Sequence, residues 1–183
     1  MQIRRAFVLA VPVLLLSHLV SAAPQADSIG EKVVAFCQEH RDQQVGNGEC
    51  STLAGQALKH AGAKARGGKD NPNSGDYVWG TEIYMIGADG KSEGKRTEIH
   101  PGDIIQYRDV KFAGKKHTGK GTYTESASHH TAVVISTDDA GGTIHILQQN
   151  TNGKKEVKSA TLYLGDLKSG WLRFYRPIAD PKK

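Results

Sequence analysis

Cys50 lies in the stretch "GNGECSTLA" (46–54), where a glycine-rich loop gives way to a helical pattern. A thiol there is a reactive nucleophile, half of a disulfide, or a small buried hydrophobe. The attacking species in cysteine chemistry is the thiolate, and a free cysteine is mostly protonated near neutral pH. The first turn of a helix offers unpaired amides whose partial positive charge lowers a thiol pKa, and a neighbouring imidazolium lowers it further. Gly46 and Gly48 let the backbone turn tightly and leave room for a substrate chain above the sulfur. The position suits covalent acyl transfer.

A base and an orienting group stand in "HHTAVVISTDDAGGTIHILQQN" (129–150). His129 and His130 are adjacent, so on a strand they point to opposite faces. His130 shares a face with Ala132 and Val134, and His129 with Thr131, Val133 and Ile135. Only one can meet Cys50, and parity does not choose. On the return strand, Ile144, Ile146, Gln148 and Asn150 lie on one face, with His145 and Gln149 on the other. Gln148 or Asn150 could accept an imidazole N–H and hold the reactive tautomer. The Cys50 amide is the default donor to a tetrahedral oxyanion.

The rival for Cys50 is a bridge to Cys37, the other cysteine of the chain, which would disarm the nucleophile. Cys37 falls on the apolar stripe of Ile29 and Val33, however, where a reduced cysteine packs as a small hydrophobe. No histidine pair shows metal-ligand spacing backed by carboxylates, so neither a metal nor another cofactor is expected.

These residues need elements to position them. Ser28 and Glu31 have the spacing of a capping box, followed by an apolar face on Ile29, Val33 and Cys37 that ends near His40. A second helix is expected from about Ser51 to Ala63, burying Leu53, Ala54, Ala57, Leu58 and Ala61. From Tyr77 the helical period gives way to short β-branched and aromatic runs: "YVWGTEIYMI", "DIIQYRDV", "TAVVIST", "GTIHILQQN", "VKSATLYL" and "WLRFYRPI". Residues 113–129 read as a long polar insertion that contains His117. Two helices followed by an antiparallel sheet make one α+β domain over 29–177, with 178–183 as a tail.

The chain opens with Arg4 and Arg5, an apolar run over 6–20, and small residues up to Ala22. This predicts a signal peptide over 1–22 and a short leader over 23–28, and so a secreted, extracytoplasmic protein. The apolar run is too short for a spanning helix, and no membrane association is expected after cleavage. Cleavage would remove Arg4 and Arg5 and bring the formal net charge from +5 to about +3, a mild excess that suits a polyanionic surface, but no clustered basic helix or zinc-finger spacing points to nucleic acid. Oligomeric state is not legible.

Three pieces in order, "GNGECSTLA", "HPGDIIQY" (100–107) and "HHTAVVISTDDAGGTIHILQQN", resemble the CHAP family of cysteine- and histidine-dependent amidohydrolases and peptidases, within the papain-like superfamily. The resemblance implies a papain-like fold with N-terminal helices packed on an antiparallel sheet. It implies Cys50 as nucleophile, His130 as base, and Gln148 or Asn150 as the orienting residue. Many members carry glutamate where Gln148 stands. Gln44 has the spacing, six residues before the cysteine, of the oxyanion glutamine in papain. The function implied is cleavage of an amide bond in peptidoglycan or another peptide, and a binding module without catalysis is the alternative.

Overall fold

The computed structural model describes residues 28–67 and 76–182. The expected signal peptide, and all of the expected leader except Ser28, lie outside the described residues.

Ser28 starts the first helix as its spacing predicts. Its hydroxyl accepts the Glu31 amide at 3.2 Å, and the Glu31 carboxylate accepts the Ser28 amide at 2.6 Å. Helix α1 (Ile29–Glu39) buries Val33, Phe36 and Cys37. Helix α2 (Cys50–His60) buries Leu53, Ala54, Ala57 and Leu58. The two pack on each other and on one face of a sheet. Gly102, at φ +88°, lies so close to Gly30 of α1 that a Cβ there would overlap the helix backbone.

The sheet has seven strands: β1 (Thr81–Gly87), β2 (Ser92–Gly94), β3 (Ile104–Lys115), β4 (Thr122–Thr137), β5 (Thr143–Gln148), β6 (Lys158–Tyr163) and β7 (Leu167–Arg176). Their order is β2-β1-β7-β3-β4-β5-β6, with antiparallel pairing throughout. The fold is α+β and papain-like, as expected. Strand alternation divides the apolar residues into two layers. Ile104, Val133, Leu147 and Tyr175 meet the helices, while Ile105, Tyr107, Ala132, Val134, Ile144, Ile146, Leu172 and Phe174 form the core on the other face. Leu58 is fully buried, so its truncation to alanine would cost about 2–5 kcal/mol.

Two sequence expectations give way. Residues 113–129 are not an insertion but the outer half of the β3–β4 hairpin, with Ala113 opposite Thr124 and Lys115 opposite Thr122. Both faces of that ribbon are largely exposed, so the apolar alternation that marks a strand is missing while backbone pairing continues. His117 at its tip is held: its Nε2 lies 2.7 Å from Asp166, which also accepts the Tyr123 hydroxyl at 2.7 Å, and its ring stacks on Tyr163. The expected tail turns back as well, with Lys64 donating to the Ile178 carbonyl and Asp180 to that of Gly62. Among the described residues, no helix is long and apolar enough to cross a membrane.

Candidate active site

Strand β5 pairs with β4 only along Val133–Thr137. Beyond that point the chain leaves the sheet at Gln148, and the start of α2 lies against β4. Cys50 is the first residue of that helix, half-buried. Burial pushes its thiol pKa up; the Thr131 main chain, the Ser51 amide and the adjacent Thr131 side chain oppose this, and the Glu49 carboxylate adds to the rise. The net direction is upward. Desolvation outweighs the helix end, so the resting group is a neutral thiol and not the lowered thiolate that its position alone suggests.

Thr131 is itself anchored. Its hydroxyl donates to Gln106 Oε1 at 3.3 Å, and the same oxygen accepts Trp79 Nε1 at 3.0 Å. All three residues are buried. Cys50 therefore rests on a fixed polar seat, one residue along β4 from His130, whose ring the alternation of the strand turns to the other face, toward Tyr107.

Of the two histidines, His130 is buried and His129 exposed. His130 Nε2 lies 2.8 Å from Gln148 Oε1, and the Tyr107 ring stands edge-on at 5.3 Å. With the amide oxygen as acceptor, Nε2 carries the proton and Nδ1 keeps the lone pair that a base needs. Burial lowers the His130 pKa, and the Gln148 hydrogen bond partly offsets this. The imidazole is neutral at neutral pH.

The structure thus joins Gln148 to His130 and gives Asn150 another role. Asn150, at φ +63°, donates to the Glu49 carboxylate at 2.7 Å, and Lys155 holds the other oxygen of that carboxylate at 2.6 Å. Gln44 is exposed and spends its side-chain amide on the Gly46 carbonyl at 3.0 Å, inside its own loop. At φ +56° and +79°, Gly46 and Gly48 make the tight turn expected of them, and a Cβ at either would run into Thr52 and Gln56 or into Lys155. Cys37 is fully buried and both cysteines are free, so the bridge that would disarm Cys50 is not formed. Burial pushes the Cys37 thiol up to about 12.

Sequence reasoning missed Gln149. Fully buried, it accepts the Val45 amide at 3.1 Å and donates to the carbonyls of Val45 at 3.1 Å and Glu49 at 2.6 Å. Its parity opposite Gln148 was the available signal, since a polar residue facing helices needs partners. Tyr107 was missed too; it is buried beside His130 with a hydroxyl that has no hydrogen-bond partner. Among the described residues, no group of three His, Cys, Asp or Glu is placed to hold a metal ion.

The family model for the AIM3/BBC1 cysteine proteinase-fold domain matches residues 19–181. Altered inheritance of mitochondria protein 3 of Debaryomyces hansenii is 32% identical over 154 residues, covering 81% of this chain. An SH3 domain-containing protein of Schizosaccharomyces pombe is 35% identical over 81 residues, covering 43% of this chain. The match spans 16% of the length of the first relative and 5% of the second. Among solved structures, a crystal structure of Ly7917 with the hydrolyzing product of MDP is 18% identical, at a TM-score of 0.48 over 81% of this chain and 62% of that one.

These relatives correct the expected location. A protein named for the inheritance of mitochondria and an SH3 domain-containing protein stand against the expectation of a secreted, extracytoplasmic protein. That expectation rested on hydropathy at the N-terminus, which reports an apolar run and not its destination. The family match is to a cysteine proteinase fold and not to CHAP specifically. With two helices on an antiparallel sheet, a free cysteine opening the second helix, and a family match across nearly its whole length, the chain belongs to the AIM3/BBC1 cysteine proteinase-fold domain family.

Proposed function

We propose that this domain is a cysteine-dependent hydrolase of amide bonds in peptides. The observation that carries the reading is the free Cys50 at the start of α2, seated on Thr131, whose neighbour along β4 is a His130 held by Gln148 at 2.8 Å. In this reading the Cys50 sulfur attacks the amide carbonyl carbon while His130 Nδ1 takes the thiol proton. His130 returns that proton to the leaving amine as the C–N bond breaks. Water, deprotonated by His130, then cleaves the thioester and frees the acid and the thiol. Gln148 keeps the imidazole oriented, and backbone amides at the start of α2 receive the oxyanion.

The test is release of free amine from peptide anilides, with purified peptidoglycan as a second substrate arm. Wild type is compared with Cys50→Ala and His130→Ala, and each variant is expected to lose about a thousandfold or more in rate. Equal release by all three proteins, or none by any, overturns the proposal.

A second reading is a peptide-binding module that keeps the fold without the chemistry. It is favoured by the raised Cys50 pKa and by a neutral amide at Gln148, which stabilises an imidazolium less than a carboxylate would. Undiminished peptide binding without amine release would select it.

A further inference from the structure

We propose that the unpaired edge of β4, from Thr122 to Ser128, binds an extended acidic peptide by main-chain pairing and leads it toward Cys50. Only the last clause rests on the hydrolase reading; the docking itself does not.

Strand β4 has 16 residues and pairs with β3 from Thr122 to Val133, but its other side meets β5 only from Val133 onward. Among the described residues, no strand or bridge pairs with the outer side of 122–130. The run "TYTESASHH" contains no proline and no lysine, the usual means of blunting an exposed edge. The terminal strands of the sheet differ: β2 has three residues, and β6 opens with Lys158, paired to Asp42 at 2.7 Å.

The direction of the free groups follows from the hairpin. Lys116 donates to the Gly121 carbonyl, so the alternation of an antiparallel ladder puts Tyr123 and Glu125 in bonded pairs with β3. The N–H and C=O groups of Thr122, Thr124 and Ser126 then face outward. Seven residues of such an edge extend about 23 Å, ending three residues short of Thr131, the seat of Cys50.

Charge selects the occupant. Lys111, Lys115, Lys116 and Lys120 are exposed along this hairpin, and none forms an ion pair with a described residue. The carboxylates nearby are Glu125, Asp109, which lies 3.8 Å from Arg108, and Asp166, which is already engaged by His117 and Tyr123. Main-chain pairing supplies affinity along an edge strand, and the lysines favour carboxylates on the added strand.

The probe is a fluorescein-labelled decapeptide of alternating threonine and valine with two glutamates at each end, titrated by anisotropy against the full chain carrying Cys50→Ala. Saturable binding is expected. N-methylation of alternate peptide amides, which removes ladder donors and leaves the charge intact, is expected to weaken it about tenfold or more. Replacing the glutamates by lysines, or Lys115, Lys116 and Lys120 by glutamate in the protein, is expected to weaken it by a similar factor, and to do so less at high salt. Thr124→Pro removes one outward donor and should act like N-methylation; if it unfolds the domain, the peptide pair decides alone. Equal affinity for the N-methylated peptide overturns the pairing, and equal affinity for the lysine peptide overturns the acidic occupant. Concentration-dependent dimers that dissolve on Thr124→Pro would assign the edge to a second copy and overturn the proposal. Loss of peptide binding with amine release intact sinks this inference alone, and binding without amine release sinks only the hydrolase.

Discussion

His130 and Gln148 face each other at 2.8 Å, Nε2 to Oε1, although the last backbone pair between their strands is Val133 with Leu147. A side-chain hydrogen bond continues the contact where the ladder stops. It holds a ring, and it does so without charge.

Restoring charge at that position should therefore retune the site. Gln148→Glu is expected to raise the His130 pKa and speed Cys50 alkylation at neutral pH by about tenfold, since a carboxylate favours the imidazolium. Gln148→Leu should slow it. Iodoacetamide rates across pH, with the imidazole titration followed by NMR, check both.

The two thiols should part cleanly in the native protein. Cys50 is expected to take one label, with a rate that climbs through pH 8 and 9 without a plateau near neutrality, because burial raises its pKa. Cys37, fully buried with its thiol pushed up to about 12, should label only after unfolding. Intact mass after timed alkylation reads the outcome, and a plateau below pH 7 would contradict the neutral resting thiol.

Stability should fall on acidification through His130. Its folded pKa lies below its ordinary value, so below about pH 6.5 the unfolded chain binds the proton more readily than the folded one. The contribution is complete above that pH and is lost as pH falls through the folded value. Thermal melts from pH 7.5 to 5 should show a smaller loss for His130→Gln than for wild type.

Gln149→Ala is expected to cost about 2–4 kcal/mol, because it strands the buried Val45 amide and two carbonyls. Urea denaturation measures this. Gln44→Ala, whose side chain serves only its own exposed loop, should change stability by less than about 0.5 kcal/mol.

Much of the frame was legible. Ser28 and Glu31 announce α1, and the apolar period from Leu53 to Leu58 announces α2, because capping and helix faces are local in the chain. The outer β3–β4 ribbon was not legible, since its pairing is backbone to backbone and its faces are wet. At the site, parity put Gln148 and Asn150 on one face and could not rank them. The left-handed turn at Asn150, which swings its amide to Glu49, depends on contacts a hundred residues apart. The direction of the Cys50 pKa was hidden for a related reason: the helix end is visible in sequence, whereas the depth of burial is set by the whole fold.

Gln149 binds Val45 through both N–H and C=O, standing in for a residue of a β-bridge. An amide side chain has one reach, so it acts as a spacer gauge between the exit of β5 and the loop before α2. The start of α2, five residues beyond Val45, is therefore tied to the exit of β5 through Gln149 as well as packed on α1, and losing that one amide would free the loop between them.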